Sequence, residues 1–242
     1  MGKGYTREEI DRMNNGQLPN LFRTGGGWNR RHQWIIDAGS LGSATEDFKP
    51  RNSVSNAEQY VSAAGSRLVP AEHAIHIANS AAEAVGVIRT AGLPLPAEIR
   101  IDSSIFRSLD RSLATPGYFV LSSNSVYLNP GSRFFAGGSD GMAHMARAAY
   151  ERGWWSTDSP LGPVLHELGH AAHWGSSQQA YREAQHMLLS KEEGRMVRRR
   201  LSEYGSIDPL ELVAEVVASK LTGFLVHPDV IELYRRFGGP RL

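Results

Sequence analysis

His166-Glu167-Leu168-Gly169-His170 holds residue types that can do chemistry, at a spacing that lets them act together. On an α-helix, residues four apart lie one above the other on the same face. Two imidazoles so placed can chelate one Zn²⁺, each through a ring nitrogen about 2.0–2.1 Å from the metal. The glutamate beside the first histidine can then reach a water at an open metal position and take its proton. Five residues thus contain a metal clamp and a base.

The flanking residues turn this segment inward. Pro160 and Pro163 fit a helical first turn, while Leu161, Val164, Leu165, Leu168, Ala171 and Ala172 make the helix flanks apolar. A glutamate among such residues is costly to bury without a partner. A third metal ligand is also required. His173 lies seven residues after His166, and seven residues span about 10.5 Å of helix, too far for one ion. It reads as a rim or packing residue.

Glu211 and Glu215 are the better candidates. They sit four apart on an expected helix whose same stretch carries Leu212, Val213, Val216 and Val217. Two carboxylates facing a core need a cation or hydrogen-bond donors. One can ligate the metal while the other accepts an N–H from a ligand imidazole and fixes its tautomer. Asp208-Pro209-Leu210-Glu211 also has capping-box spacing, which would occupy Glu211 and leave Glu215 as ligand.

The whole chain narrows the chemistry further. It has 242 residues and no cysteine, so thiolate zinc sites and disulfides are excluded and any zinc must be held by histidine and carboxylate. Its formal charge of +1 gives no global field for nucleic acid or an anionic membrane. No apolar run resembles a signal peptide or a membrane span. The expectation is a soluble protein, cytoplasmic or associated with a virion or toxin, without membrane or nucleic-acid partners.

Residues 1–55 read as an irregular N-terminal arm, with a short helix near Thr6–Met13 and a Trp28, Trp34, Ile35 and Ile36 cluster. Residues 56–242 read as one domain. Helices are expected over Pro70–Thr90 and over 138–151, 160–174, 177–190, 191–202, 209–222 and 228–236. Ile99–Ile101 reads as a strand, and Tyr118–Leu121 with Val126–Leu128 as a hairpin joined by Ser122–Ser125. A small sheet followed by helices is a helix-rich α+β arrangement. Ser125–Asn129 is a candidate edge for pairing with an extended peptide. Arg195–Arg200 reads as a solvated helix face rather than a nucleic-acid patch.

Tyr204-Gly205, then Glu211-Leu212-Val213-Ala214-Glu215, downstream of the His166–His170 helix, resembles the catalytic domain of anthrax lethal factor and related zincin-like peptidases of toxins and phage-encoded proteins. In that group a tyrosine precedes the ligating glutamate by seven residues, as Tyr204 precedes Glu211. The resemblance implies a zincin-like fold, with a small antiparallel or mixed sheet packed on an active-site helix and a helical C-terminal part. It makes His166, His170 and Glu211 ligands of one Zn²⁺, Glu167 the general base, Tyr204 the oxyanion donor and Glu215 the partner of a ligand imidazole. A third histidine of metzincin type would need glycine at 173 and histidine at 176, where this chain has His173 and Ser176. The implied activity is zinc-dependent endopeptidase hydrolysis of a protein or peptide substrate by a zinc-activated water. The alternative is a catalytically silent zincin-like module of a phage particle or toxin complex, with zinc as a staple.

Overall fold

The computed structural model describes residues 53–70, 74–108 and 114–242, all within the unit that spans Glu46–Leu242. The helix expected near Thr6–Met13 and the Trp28–Ile36 cluster lie outside the described residues. The elements in chain order are α1 (Val54–Ala63), β1 (Arg67–Pro70), α2 (Ile75–Thr90), β2 (Glu98–Ile101), α3 (Ser104–Ser108), β3 (Gly117–Val120) and β4 (Ser125–Leu128). Then come α4 (Gly138–Glu151), α5 (Gly162–Ser176), α6 (Gln178–His186), α7 (Lys191–Arg200), α8 (Pro209–Leu221) and α9 (Pro228–Arg236). This is a helix-rich α+β arrangement around one small mixed sheet. No helix among the described residues is long and apolar enough to cross a membrane.

The sheet runs in the order β1-β2-β4-β3, with β1, β2 and β4 parallel and β3 antiparallel to β4. Its register aligns Leu68, Ile99, Val126 and Phe119 in one row across four strands, all buried. Pro70, Ile101, Leu128 and Gly117 form the next row on the same face, because side chains alternate with a period of two. The opposite face is polar: Glu98 pairs with Arg67 and, at 2.7 Å, with Arg100, whose guanidinium covers the Tyr127 ring. Tyr127 is thus a strand residue packing the sheet.

The apolar face packs on α2 and α5, and α8 lies along the other side of α5. Gly169 makes this last approach possible. A Cβ there would stand 3.1 Å from Ala214 Cα and 3.2 Å from Val217 Cβ. The α8 helix begins cleanly because Asp208 Oδ1 accepts hydrogen bonds from the backbone N–H groups of Leu210 and Glu211, and Pro209 fits the first turn.

Several boundaries differ from the sequence reading. Pro70 ends the outer strand β1 rather than opening a helix, and α2 begins only at Ile75. Proline is tolerated there because the end of an outer strand demands no N–H. The α1 helix starts at Val54, inside the expected arm, with the Ser53 hydroxyl accepting from Asn56 N–H. The expected 177–190 helix stops at His186, because Ser190 and Glu193 form a capping box that starts α7 afresh. The hairpin connection holds a 3₁₀ turn at Leu121–Ser123 and closes on Asn124 in the left-handed region (φ 48°).

Ser125–Asn129 is not an edge. Strand β4 is hydrogen-bonded to β2 on one side and β3 on the other, so it has no free ladder to offer. The outer strand beside α5 is β3. In Arg195–Arg200, Arg198 pairs with Glu203 and Arg200 with Asp229, as a solvated face should.

Replacing Gly169 with leucine should force α5 and α8 apart. We expect a loss of about 1–3 kcal/mol in chemical denaturation, the usual scale for overpacking. Unchanged stability of Gly169→Leu would show that the helix contact is not tight.

Candidate metal centre and its surroundings

On α5 the helical repeat sets His166 and His170 on one face, and both are buried with 4% and 8% of their surface exposed. On α8 the same repeat sets Glu211 and Glu215 towards them. His166 stands between the two carboxylates. Its Nε2 lies 2.8 Å from Glu211 Oε2, and its Nδ1 lies 2.9 Å from Glu215 Oε1.

Three atoms converge on one point: His170 Nε2 is 3.2 Å from His166 Nε2 and 3.5 Å from Glu211 Oε2. Ligands at 2.0–2.1 Å in a tetrahedral shell are about 3.3–3.4 Å apart, so the spacing fits one zinc ion. The chemistry of the set fits too. With Nδ1 donating to Glu215, His166 turns its Nε2 towards Glu211 and His170, and a metal ion replacing the proton on that nitrogen would meet three lone pairs. Three acceptors gathered in a buried space call for a cation. His166, His170 and Glu211 are the group of metal-ligand type found among the described residues. Glu215 stays behind His166, and His173 lies outside the group. The Asp208 cap forms, yet the Glu211 carboxylate turns to the histidines.

Electrostatics follow from these contacts. Burial would lower the His166 pKa, but the carboxylates of Glu211 and Glu215 on either side of the ring carry it well above the ordinary histidine value. Burial would raise Glu211, but His166 and His170 hold it far below the usual carboxylate range. Glu167 moves the other way: burial raises it, only partly countered by the two histidines and by a hydrogen bond from the Phe119 backbone N–H. A carboxyl with a raised pKa suits proton transfer near neutrality.

Glu215 is fixed from three sides. The Ser156 N–H donates to its Oε2 at 2.7 Å, the Ser202 hydroxyl donates to the same oxygen at 2.9 Å, and Oε1 takes the His166 Nδ1–H. Tyr204 sits on a 3₁₀ turn just before α8, its ring 5.1 Å from that of His166 and 5.6 Å from that of Trp154. Backbone bonds from Glu203 N–H to Gly153 O and from Tyr204 N–H to Trp154 O tie this turn to the 153–156 loop.

Strand β3 borders Glu167 and His170. A Cβ on Gly117 would fall 2.5 Å from Glu167 Cγ, and the Phe119 ring stacks on His170 with centroids 6.5 Å apart. A cavity of about 700 Å³ lies along β3 between Glu167, Glu211 and Trp174, and a second of about 210 Å³ is walled by Trp154, Trp155 and Pro163. Tyr204 and Glu167 line both.

The sequence reading missed Gly117, the Phe119 N–H, Ser156 and Ser202. Glycine before an aromatic strand was a signal for close approach. The two serines carry no pattern that marks them, since their partner is 59 and 13 residues away. Compared with protein-family models, curated proteins and solved structures, the chain has no match in any of the three.

Two outcomes are expected. Gly117→Ala should displace Glu167 or the β3 edge, lowering any hydrolytic rate at least tenfold while zinc uptake persists; an unaltered rate would refute the contact. His173 is fully buried beside Tyr181 and has its pKa held down to about 4, first by burial and then by His170. The unfolded chain protonates near 6.5, so this residue's contribution is complete above that pH and is lost as pH falls towards 4. The loss is at most about 3 kcal/mol. Denaturation from pH 7 to 4 should therefore give a flatter stability profile for His173→Leu than for wild type, and equal slopes would contradict it.

Proposed function

We propose that this chain is a zinc metallopeptidase of zincin-like architecture, hydrolysing peptide bonds in a protein or peptide substrate. The observation that carries the reading is the convergence of His166 Nε2, His170 Nε2 and Glu211 Oε2, with Glu167 on the same helix turn. A bound zinc ion would supply a Lewis acid and lower the pKa of water towards neutrality. His166, His170 and Glu211 would hold it.

The protein's own groups account for the rest. Glu167, buried and with a raised pKa, accepts a proton from the attacking water and returns it to the leaving amine. Tyr204, beside His166, donates to the oxyanion that forms on the scissile carbonyl. Glu215 holds the His166 Nδ1–H and thereby directs Nε2 towards the metal position. An extended substrate aligns on the outer side of β3, next to the larger cavity, by strand addition. A staple without turnover needs neither a buried carboxyl beside the clamp nor a tyrosine ring next to it, which favours the enzyme over the silent module.

The test joins metal content with turnover. Purified protein should hold one zinc per chain by elemental analysis, and His166→Ala or Glu211→Ala should lose it. Glu167→Gln should keep its zinc and fold while cleavage of a peptide library falls by roughly 10²–10⁴-fold. Cleavage by Glu167→Gln at the wild-type rate would dispose of this mechanism.

A further inference from the structure

We infer that Ser202 is a positioning residue of the metal centre, acting through Glu215 on His166. The inference rests on the proposed metal site and extends it to a residue outside the three proposed ligands. Ser202 is completely buried, between the end of α7 and the Tyr204 turn. Its hydroxyl has one proton to give, and gives it to Glu215 Oε2 at 2.9 Å. Its lone pair is used as well, accepting from the Gly205 N–H at 3.0 Å. The hydroxyl therefore has a fixed direction, set by the backbone of the turn.

That direction orients the carboxylate. With Oε2 held by the Ser202 hydroxyl and the Ser156 N–H, Oε1 is aimed at His166 Nδ1, 2.9 Å away. His166 thereby keeps its proton on Nδ1 and leaves Nε2, the atom that faces Glu211 and His170, as the one to meet a metal ion. The space permits no slack. A Cβ on Gly205 would stand 3.1 Å from Ser202 Oγ and 3.3 Å from Glu215 Cβ.

Ser156 differs in a useful way. Its backbone N–H holds the carboxylate, whereas its hydroxyl donates to the Glu215 backbone carbonyl at 2.9 Å. Removing the Ser156 side chain leaves the carboxylate contact in place. Removing that of Ser202 does not.

The experiment is a double-mutant cycle on zinc affinity, read by competition with a chromophoric chelator and needing no substrate. Wild type, Ser202→Ala, Glu215→Gln and the double variant are compared, with Ser156→Ala as control and thermal unfolding of the metal-free forms to establish folding. Ser202→Ala should weaken zinc binding at least tenfold in the wild-type background and less than twofold in the Glu215→Gln background. Ser156→Ala should change it by less than Ser202→Ala does. Equal losses in both backgrounds, or no loss in Ser202→Ala, would overturn the inference. If Ser202→Ala does not fold, Ser202→Cys, slightly larger and a weaker donor, takes its place in the same cycle once thermal unfolding shows that it folds. Failure of the wild type to bind zinc would instead refute the metal site itself.

Discussion

The close approach of α5 to α8 at Gly169 is the constraint on which the centre depends. Helix axes usually stand 8–10 Å apart, and the smaller figure needs small residues at the crossing. Here a missing Cβ lets Ala214 Cα come within contact distance, and the histidines and glutamates on either side of that crossing interleave. The i, i+4 repeat then does the rest on both helices. His166 enters between Glu211 and Glu215 and engages one with each ring nitrogen, while His170, one turn on, reaches only Glu211. A wider crossing would leave the buried imidazoles without their carboxylate partners, at a cost of several kcal/mol.

Three carboxylates share this small volume, and their neighbours separate their roles. Glu215 accepts from a hydroxyl, a backbone N–H and an imidazole N–H, and is held in one orientation. Glu211 faces two imidazole nitrogens and is kept far below the usual carboxylate pKa. Glu167 has the least support, a single backbone N–H from the sheet, and burial raises it. Identical side chains thus differ in orientation and in pKa because of the groups around each one. The cluster also explains why the α5 helix can carry two histidines and a glutamate on an otherwise apolar surface.

Much of this was legible in the sequence because it is written at helical spacing. The repeats His166–His170 and Glu211–Glu215, the Asp208-Pro209 start and the apolar residues between them all lie within single helices, where i, i+4 has one geometric meaning. The choice between Glu211 and Glu215 was not legible, since it turns on the rotation of α8 against α5, and hence on Gly169. Strand order was not legible either. Val126-Tyr127-Leu128 has the pattern of a strand, but nothing local says that β2 and β3 will flank it. Pro70 misled for a related reason: the same residue suits a helix start and the end of an outer strand, and only pairing with Ile101 decides. Ser156 and Ser202 act across loops, where sequence distance carries no geometric information.

The sheet meets the helices at a point that cannot tolerate ordinary side chains, and this has a consequence for what β3 can do. The row Pro70–Ile101–Leu128 would continue with an apolar side chain, but its fourth position is Gly117, and Glu167 occupies the place of the missing Cβ. One residue earlier, Pro116 has no N–H, and its carbonyl is already taken by Asn129 N–H. At the other end the chain turns into the 3₁₀ helix at Leu121. An open strand edge is normally an aggregation hazard, and shortness is one way proteins limit it. Here the open edge is confined to four residues, Gly117–Val120, and already lends one of its N–H groups, that of Phe119, to Glu167. The same short backbone thus borders the buried carboxylate and forms the outer edge of the sheet beside it. In the proposed peptidase, recognition of extended chain and placement of the base would be two uses of one short strand.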